Sequence, residues 1–423
     1  MLQKMKYSES AYEKRLAELF RKFPSVQKEG FKAGAYKEGL DGMRRLDGVL
    51  GHPHTEFRTV HVAGTNGKGS VSSMLAAALG ATGLKVGLYT SPHLLDFRER
   101  IKIVENGGSR MIPREAVWDF LERYDNDLEG LSFFEITTGM CFHWFAQSGV
   151  DAAVIEVGLG GRLDSTNIIN PELCVITSIG LDHCALLGQT RTAIAAEKAG
   201  IFKAEAKALI WGRDEQTSGV FEETAARVGA QLHFAGGELP DEEAGELDLK
   251  GEYQSLNLRT VKAALDLLGI DPEQPQARNA ILNAAAVTGL RGRWEILDRE
   301  PLTIADIGHN PAALKLNFAQ LERLGKPMTI VYGIMADKDL DSIIPLMPGD
   351  ARYVFCAPAT ARALNADELL RRVSGARPGL QAKAAPSVAS AIERACETAD
   401  PDSVIYIGGS AFVVAEALPL WPR

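Results

Sequence analysis

Three things are scarce in this sequence, and each scarcity narrows what the protein does. Cysteine is the first: there are five in 423 residues, Cys141, Cys174, Cys184, Cys356 and Cys396, an odd number with no C-x-x-C pair. The thiols read as reduced and mostly buried, the usage of a cytoplasmic protein. Apolar runs are the second. No stretch of about 18 uninterrupted apolar residues offers a bilayer span. The N-terminal "MLQKMKYSESAYEKRL" is charged and has no apolar signal core. Positive charge is the third, with 46 Lys and Arg against 55 Asp and Glu, a net charge of −9. A weakly acidic chain does not draw polyanions globally, which argues against nucleic acid and anionic membrane as partners. A local basic pocket for a phosphate is compatible with that balance. Repeats of solenoid period and low-complexity tracts are missing as well.

What is present is ordinary globular material, 46% hydrophobic and 24% charged, in a length that suits two domains and a sizeable core. Residues 8–23 carry Leu16, Leu19 and Phe20 on one helical face. Residues 58–63 form a short β-rich run that stops at a glycine loop. After it Val71, Met74, Leu75, Ala78 and Leu79 mark a buried helix stripe beginning near Ser70, and residues 85–90 predict the next strand. Further strands are expected at 152–157, 174–179 and 208–211, with helices at 113–124, 133–147 and 192–199. Nearly continuous apolar strands alternating with helices argue for a mainly parallel sheet covered on both faces. Near residue 296 the pattern restarts. Strands at 302–305, 329–332, 353–356 and 404–407, with helices at 311–324, 366–373 and 388–398, predict a smaller Rossmann-like α/β unit. The acidic, glycine-containing segment 236–246 reads as a solvated loop. The expected domains are therefore 1–295 and 296–423.

Ligands in open α/β sheets gather at the carboxyl ends of the strands, so the residues there matter most. The first strand runs into Gly64-Thr65-Asn66-Gly67-Lys68-Gly69-Ser70. This is not the common G-x-x-x-x-G-K-[ST] spacing, yet strand, glycines, lysine and helix are all in place for a phosphate cradle. A helix N-terminus adds about half a positive charge, and Lys68 adds a full one. Ser91 follows the second strand. Glu156 ends the strand before Gly158-Leu159-Gly160-Gly161, and Gly180-Leu181-Asp182-His183 follows the next. The hydroxyls of Ser70 and Ser91 and the carboxylate of Glu156 are donors that Mg²⁺ accepts. His183 reads either as a helix-cap histidine or as a metal or phosphate ligand. Cys184 beside it, with no basic partner visible in sequence, reads as inert. Lys198, in "AAEKAGIFK", reads from its neighbours alone as a solvated helical lysine.

Taken together these strings resemble dihydrofolate synthase/folylpolyglutamate synthase, within the Mur ligase superfamily. The strings that carry the resemblance are "GTNGKGS", "TSPHLLDFRERI", "FFEITT", "EVGLGGRLDSTN", "ITSIGLDH" and "AAEKAGIFK", with "RGRWE" and "DIGHNP" near the domain junction. They run in order over most of the chain. The resemblance identifies the off-pattern loop as this superfamily's phosphate cradle and implies a large P-loop ATPase-like domain followed by a Rossmann-like glutamate ligase domain. Peptidoglycan-type Mur ligases carry a UDP-binding domain before the loop, whereas 63 residues precede Gly64 here, so the folate branch is expected.

The implied activity is an ATP-dependent amide ligase that joins L-glutamate to dihydropteroate, or to the terminal glutamate of a reduced folate, through an acyl phosphate. The alternatives are a monofunctional folylpolyglutamate synthase and a catalytically silent ATP-binding homologue. By the family pattern, Lys68, Glu156, His183 and Lys198 are catalytic. One Mg²⁺ is held by Ser91 and Glu156 with Ser70 close by, His183 helps to hold a second, and a monovalent cation is a further expectation. Lys198 matches a lysine that is often carbamylated. Asn257, Arg293, Asp306 and His309 join residues 64–70 around the nucleotide. Ser91, Pro92, His93 and Arg98 lie in the loop 91–101, the folate-side lid. The segment "DGMRRLDGVLG" matches a pterin-side segment or is an amphipathic helix end. The chain departs from the pattern at Ile307 and Gly308, where Gly and Ala are usual, and at Tyr253, where His is common. A monomer is expected.

Overall fold

Strand β1 (Arg58–Ala63) lies deep inside the larger of two sheets. Around it are β2 (Val86–Tyr89), β3 (Ile101–Glu105), β4 (Gly108–Met111), β5 (Ala152–Glu156), β6 (Leu173–Ile176), β7 (Lys207–Ile210) and β8 (Gln231–Phe234), in the order β4-β3-β2-β5-β1-β6-β7-β8. The six strands from β2 to β8 run parallel. β2, β5 and β6 are buried throughout, and β1 all but its first residue, as strands covered on both faces must be. β3 and β4 add an antiparallel hairpin at one edge, which the sequence reading did not predict. Its turn is Asn106-Gly107, both at positive φ (54° and 76°), the arrangement a two-residue hairpin requires.

This computed structural model describes residues 7–23, 39–237 and 241–422. The chain divides into two compact units. The first comprises Met1–Ile179, His183–Glu238 and Leu256–Gly289, the second Gly180–Asp182, Leu239–Ser255 and Leu290–Arg423.

In the first unit, the helix Lys68–Ala81 is buried along nearly its whole length rather than along one stripe. Small residues allow this. A Cβ on Gly80 would press on Val104 at 3.2 Å, so the helix packs tightly against the sheet. The helix Phe133–Ser148 starts on a Ser132/Glu135 capping box and ends at Gly149 in the left-handed region. It packs on the helix Asp41–Leu50 so closely that a Cβ on Gly139 would run into Leu46. The segment with the pterin-side resemblance is thus a helix, closed by Gly51. The expected loop 236–246 is corrected in part: Asp241–Glu246 forms a short helix, while residues 238–240 lie outside those described.

The second unit is built on β9 (Glu295–Arg299), β10 (Leu302–Asp306), β11 (Met328–Tyr332), β12 (Arg352–Phe355), β13 (Gln381–Ala384) and β14 (Val404–Gly408). Their order is β13-β12-β11-β14-β10-β9, parallel except for β9. The two strands that the sequence reading did not predict, β9 and β13, form its edges. Both are partly exposed and lack the continuous apolar run that marks the inner four. No described helix is long and apolar enough to cross a membrane.

Candidate active site

The end of β1 leads into residues 64–70. Gly64 and Gly67 have φ of 153° and 89°, and a Cβ on the first would run into Thr177, on the second into Asn257. Only glycine combines that backbone with that proximity. The helix begins at Lys68, with Gly67 as its cap, two residues earlier than the apolar stripe indicated. The loop is lashed to the chain leaving β6: Thr65 N–H donates to Ser178 O (2.9 Å), Asn66 N–H to Ser178 Oγ (2.9 Å), and Thr177 Oγ1 donates to Asn66 O (2.6 Å). The Lys68 ammonium curls back over the loop, donating to Gly64 O (3.1 Å) and Thr65 O (3.2 Å). Ser70 is buried in the first turn, and Asn257 is buried beside Gly67.

Glu156, the last residue of β5, is opposite Val62 on β1. Because β5 lies between β1 and β2, its carboxylate stands between the glycine loop and the loop after β2. It is 3% exposed and accepts Ser91 N–H at 3.0 Å. The structure thus brings residues 64–70, Ser91, Glu156 and Asn257 to one edge of the first sheet.

The loop after β2 is more ordered than its composition suggested. Glu99 accepts the N–H groups of Leu94, Leu95 and Asp96 at 2.7–2.9 Å. Arg98 is paired with Asp96. Burial raises the Asp96 carboxyl, and its hydrogen bonds from Arg98 more than reverse that, so it stays below the usual range. The buried cation here is Arg100, absent from the sequence-based set. Its Nε donates to His93 Nδ1 (2.8 Å), and its guanidinium lies 5.3 Å from the Phe133 ring centre. The alternation of arginines in "FRERI" was the available signal.

Lys198 is a correction. The residues around it predicted a solvated helical lysine, but it is 4% exposed. The cause is Gly161, where a Cβ would meet Glu197 O at 2.8 Å and Lys198 Cα at 3.0 Å. The glycine run lets the loop after β5 press onto the helix Arg191–Ala199. That loop is held by Asp164, which accepts from Leu159 N–H (2.8 Å) and Thr166 Oγ1 (2.5 Å). Thr166 Oγ1 in turn pairs with His61 Nε2 (2.8 Å) inside β1. Burial, with Lys203 adding to it, pushes His61 down to about 3, so the ring is neutral. His183 sits in the left-handed region (φ 52°) just before the four-residue helix Cys184–Leu187. Cys184 is half-buried and not in a disulfide.

In the second unit, four donors meet the two oxygens of Asp306 at the end of β10. Tyr253 OH (2.7 Å) and Trp294 N–H (2.8 Å) reach Oδ2, while Gly308 N–H (2.7 Å) and Asn317 Nδ2 (2.7 Å) reach Oδ1. Tyr253, which departs from the family pattern, has its role here. So does Gly308: a Cβ there would press on Asn317 Nδ2 and Asp306 Oδ1, each at 2.9 Å. His309 faces Asp182 (Nε2 to Oδ2, 3.2 Å), which also accepts from Asn310 Nδ2 (3.2 Å) and Lys338 Nζ (2.6 Å). Arg293 Nη1 points at the carbonyls of Arg291 and Gly292, both 3.3 Å. Sequence reasoning passed over Asp182 and Lys338. The first stood in the quoted "GLDH"; nothing local marked the second.

The Mur ligase middle domain matches residues 120–288, and the Mur ligase glutamate ligase domain matches 292–411. The chain is 33% identical to the dihydrofolate synthase/folylpolyglutamate synthase of Escherichia coli K12, over 84% of this chain and 85% of that protein. It is 34% identical, over 92% of its length, to the probable bifunctional folylpolyglutamate synthase/dihydropteroate synthase of Haloferax volcanii, and it spans about half the length of that relative, 49%. Among solved structures, E. coli FolC in complex with DHPP and ADP superposes with a TM-score of 0.82 at 28% identity, over 98% of this chain and 99% of that one. A bifunctional folylpolyglutamate synthase/dihydrofolate synthase with Mn, AMPPNP and L-glutamate bound gives 0.78 at 28%, over 91% and 94%.

Proposed function

Because the chain belongs to the dihydrofolate synthase/folylpolyglutamate synthase family of Mur ligases, we propose that it is an ATP-dependent acid–amino-acid ligase. It adds L-glutamate to dihydropteroate and to reduced folates. The observation that carries this reading is the common edge at the end of β1, where the glycine loop, Lys68, Ser91 and Glu156 meet. In this reading residues 1–295 serve the nucleotide and the folate, and residues 296–423 are the glutamate ligase part.

The chemistry has two steps. A folate carboxylate oxygen attacks the γ-phosphorus of ATP, the bond to the β-bridging oxygen breaks, and ADP leaves. The amine of glutamate then attacks the acyl phosphate carbonyl, phosphate leaves, and the amine gives up a proton. The first step forces two like charges together, which costs roughly 4 kcal/mol at 4 Å and an effective dielectric of 20, close to a thousandfold in rate. Lys68 and the N-terminus of the helix Lys68–Ala81 offset that cost. Residues 64–70, Asn257, Arg293, Asp306 and His309 are assigned to the nucleotide. Ser91, Pro92, His93 and Arg98 line the folate side.

The oxygen donors at this edge suit a hard divalent cation: a buried carboxylate on Glu156 with the hydroxyls of Ser70 and Ser91. Those three would hold Mg²⁺, with His183 assigned to a second ion. The ion, when bound, would neutralise phosphate charge. The relative solved with Mn, AMPPNP and L-glutamate supports an adenine nucleotide and a divalent metal. Lys198, a buried lysine, is the residue we assign to carbamylation. Its Nζ lone pair adds to the carbon of CO₂ and one proton is released. We assign a monovalent cation to the same region, and the protein to the cytoplasm as a monomer without nucleic-acid or membrane partners.

The test is ADP release with Mg²⁺ and glutamate, comparing dihydropteroate with tetrahydrofolate. Release with both is expected. Release with tetrahydrofolate alone would make the protein a monofunctional folylpolyglutamate synthase. Silence with both while ATP still binds would overturn the ligase.

A further inference from the structure

Just before β1, the helix Asp41–Leu50 and the 3₁₀ turn Pro53–Thr55 bring together Asp47, His52 and His54. This is the one such group of three potential metal ligands among the described residues, its ligand atoms all within 4.8 Å of one another. Each oxygen of the Asp47 carboxylate faces a different imidazole: Oδ2 lies 2.7 Å from His52 Nδ1, and Oδ1 2.7 Å from His54 Nδ1. We propose that Asp47, His52 and His54 form a binding site for a zinc-class transition metal ion, separate from the nucleotide-linked divalent site.

Three features support that class. The donor set is two imidazole nitrogens and one carboxylate oxygen, which suits Zn²⁺, Ni²⁺ or Cu²⁺ and not the all-oxygen sphere of Mg²⁺. Three protein ligands with a fourth place open is a frequent zinc arrangement, and the open place has access to water because the His52 side chain is 65% exposed. The Asp47 side chain is 4% exposed, so its carboxylate is held in place with one oxygen toward each ring. A tetrahedral ion at about 2.1 Å from each ligand needs the nitrogen–oxygen gaps to open by roughly 0.7 Å, within reach of the exposed His52 ring. Gly51, left-handed at φ 82°, makes the reversal that returns His52 and His54 to Asp47. A bound ion would clamp the helix Asp41–Leu50 to the turn Pro53–Thr55, whose His54 ring lies 6.5 Å from the Phe142 ring.

The experiment adds Zn²⁺ to the whole chain in excess Mg²⁺, which occupies the oxygen-rich site, and counts the zinc retained after gel filtration. One zinc per chain and a raised melting temperature are expected. His52→Ala removes an exposed ring and leaves the fold and Mg²⁺-supported ligase turnover unchanged. It should weaken zinc at least about tenfold, the smaller end of what loss of even an outer partner costs. His54→Gln should do the same. Cobalt in place of zinc should give a tetrahedral visible band that both variants lose. No retained zinc, or zinc held by both variants as tightly as by the unaltered chain, as binding through Cys184 or Cys396 would give, overturns the site.

Discussion

The two sheets use their carboxyl ends in opposite ways. At the end of β1 the working surface is backbone and small side chains, with Lys68 as the cation and Glu156 as the carboxylate at its flank. At the end of β10 the centre is itself a carboxylate, Asp306, and four donors from Tyr253, Trp294, Gly308 and Asn317 are spent on its two oxygens. Both are strand-end acids beside glycines, so they look alike in sequence. The difference teaches that a strand-end acid serves chemistry or architecture according to what surrounds it. Glu156 stands beside the glycine loop and takes the Ser91 N–H, whereas Asp306 ties a turn, a helix and a distant tyrosine together.

Substitutions can break that contrast, and the largest effect is expected at Lys68. Lys68→Ala should lower ADP release by roughly a thousandfold, the equivalent of one unrelieved charge contact, with circular dichroism and melting unchanged. Unfolding of that variant would mean the loop is core and not ligand surface. Next comes a matched pair. Glu156→Gln should cost about a hundredfold or more in turnover with little change in a urea midpoint. Asp306→Ala should destabilise by about 3 kcal/mol, since it strands the buried Trp294 N–H and three further donors. If the two exchanged signatures, the contrast would fail. Tyr253→Phe removes one charge-assisted hydrogen bond and should cost about 1.5–3 kcal/mol in the same melt.

The smallest effect is a pH slope. His61 is neutral when folded, pushed down to about 3, whereas an unfolded histidine titrates near 6.5. Between those values the unfolded chain binds the extra proton, so this contribution is whole above about pH 6.5 and is lost as pH falls, by about 1 kcal/mol per unit. Replacing His61 with Asn should flatten the slope of urea midpoints between pH 6.5 and 5; an unchanged slope would remove His61 as its source.

How far the sequence could be read depended on whether a signal was local. The inner strands announced themselves as apolar runs, and β10, β11, β12 and β14 were found within a residue or so of their observed ends. The edge strands β9 and β13 were missed because half of their residues face outward, leaving no run to see. The β3–β4 hairpin carried an Asn-Gly turn that could have been read. At the site, the loop, Ser91 and Glu156 were named from strand-end position. Lys198 was misread from its neighbours alone, because its burial comes from Gly161, which lies 37 positions earlier in the chain.

By itself, the sequence determined the inner strands and several of the helices between them, the glycine loop at the end of β1 and the acids at strand ends. Periodicity and positive φ act over a few residues and need no distant partner. Only the tertiary structure decided that Lys198 is enclosed, that Tyr253 and Asn317 converge on Asp306, that Asp182 joins Lys338 to His309, and that two histidines share Asp47. Each of these is a matter of which surfaces come within hydrogen-bond reach once the chain has closed on itself, and packing, not local pattern, sets that.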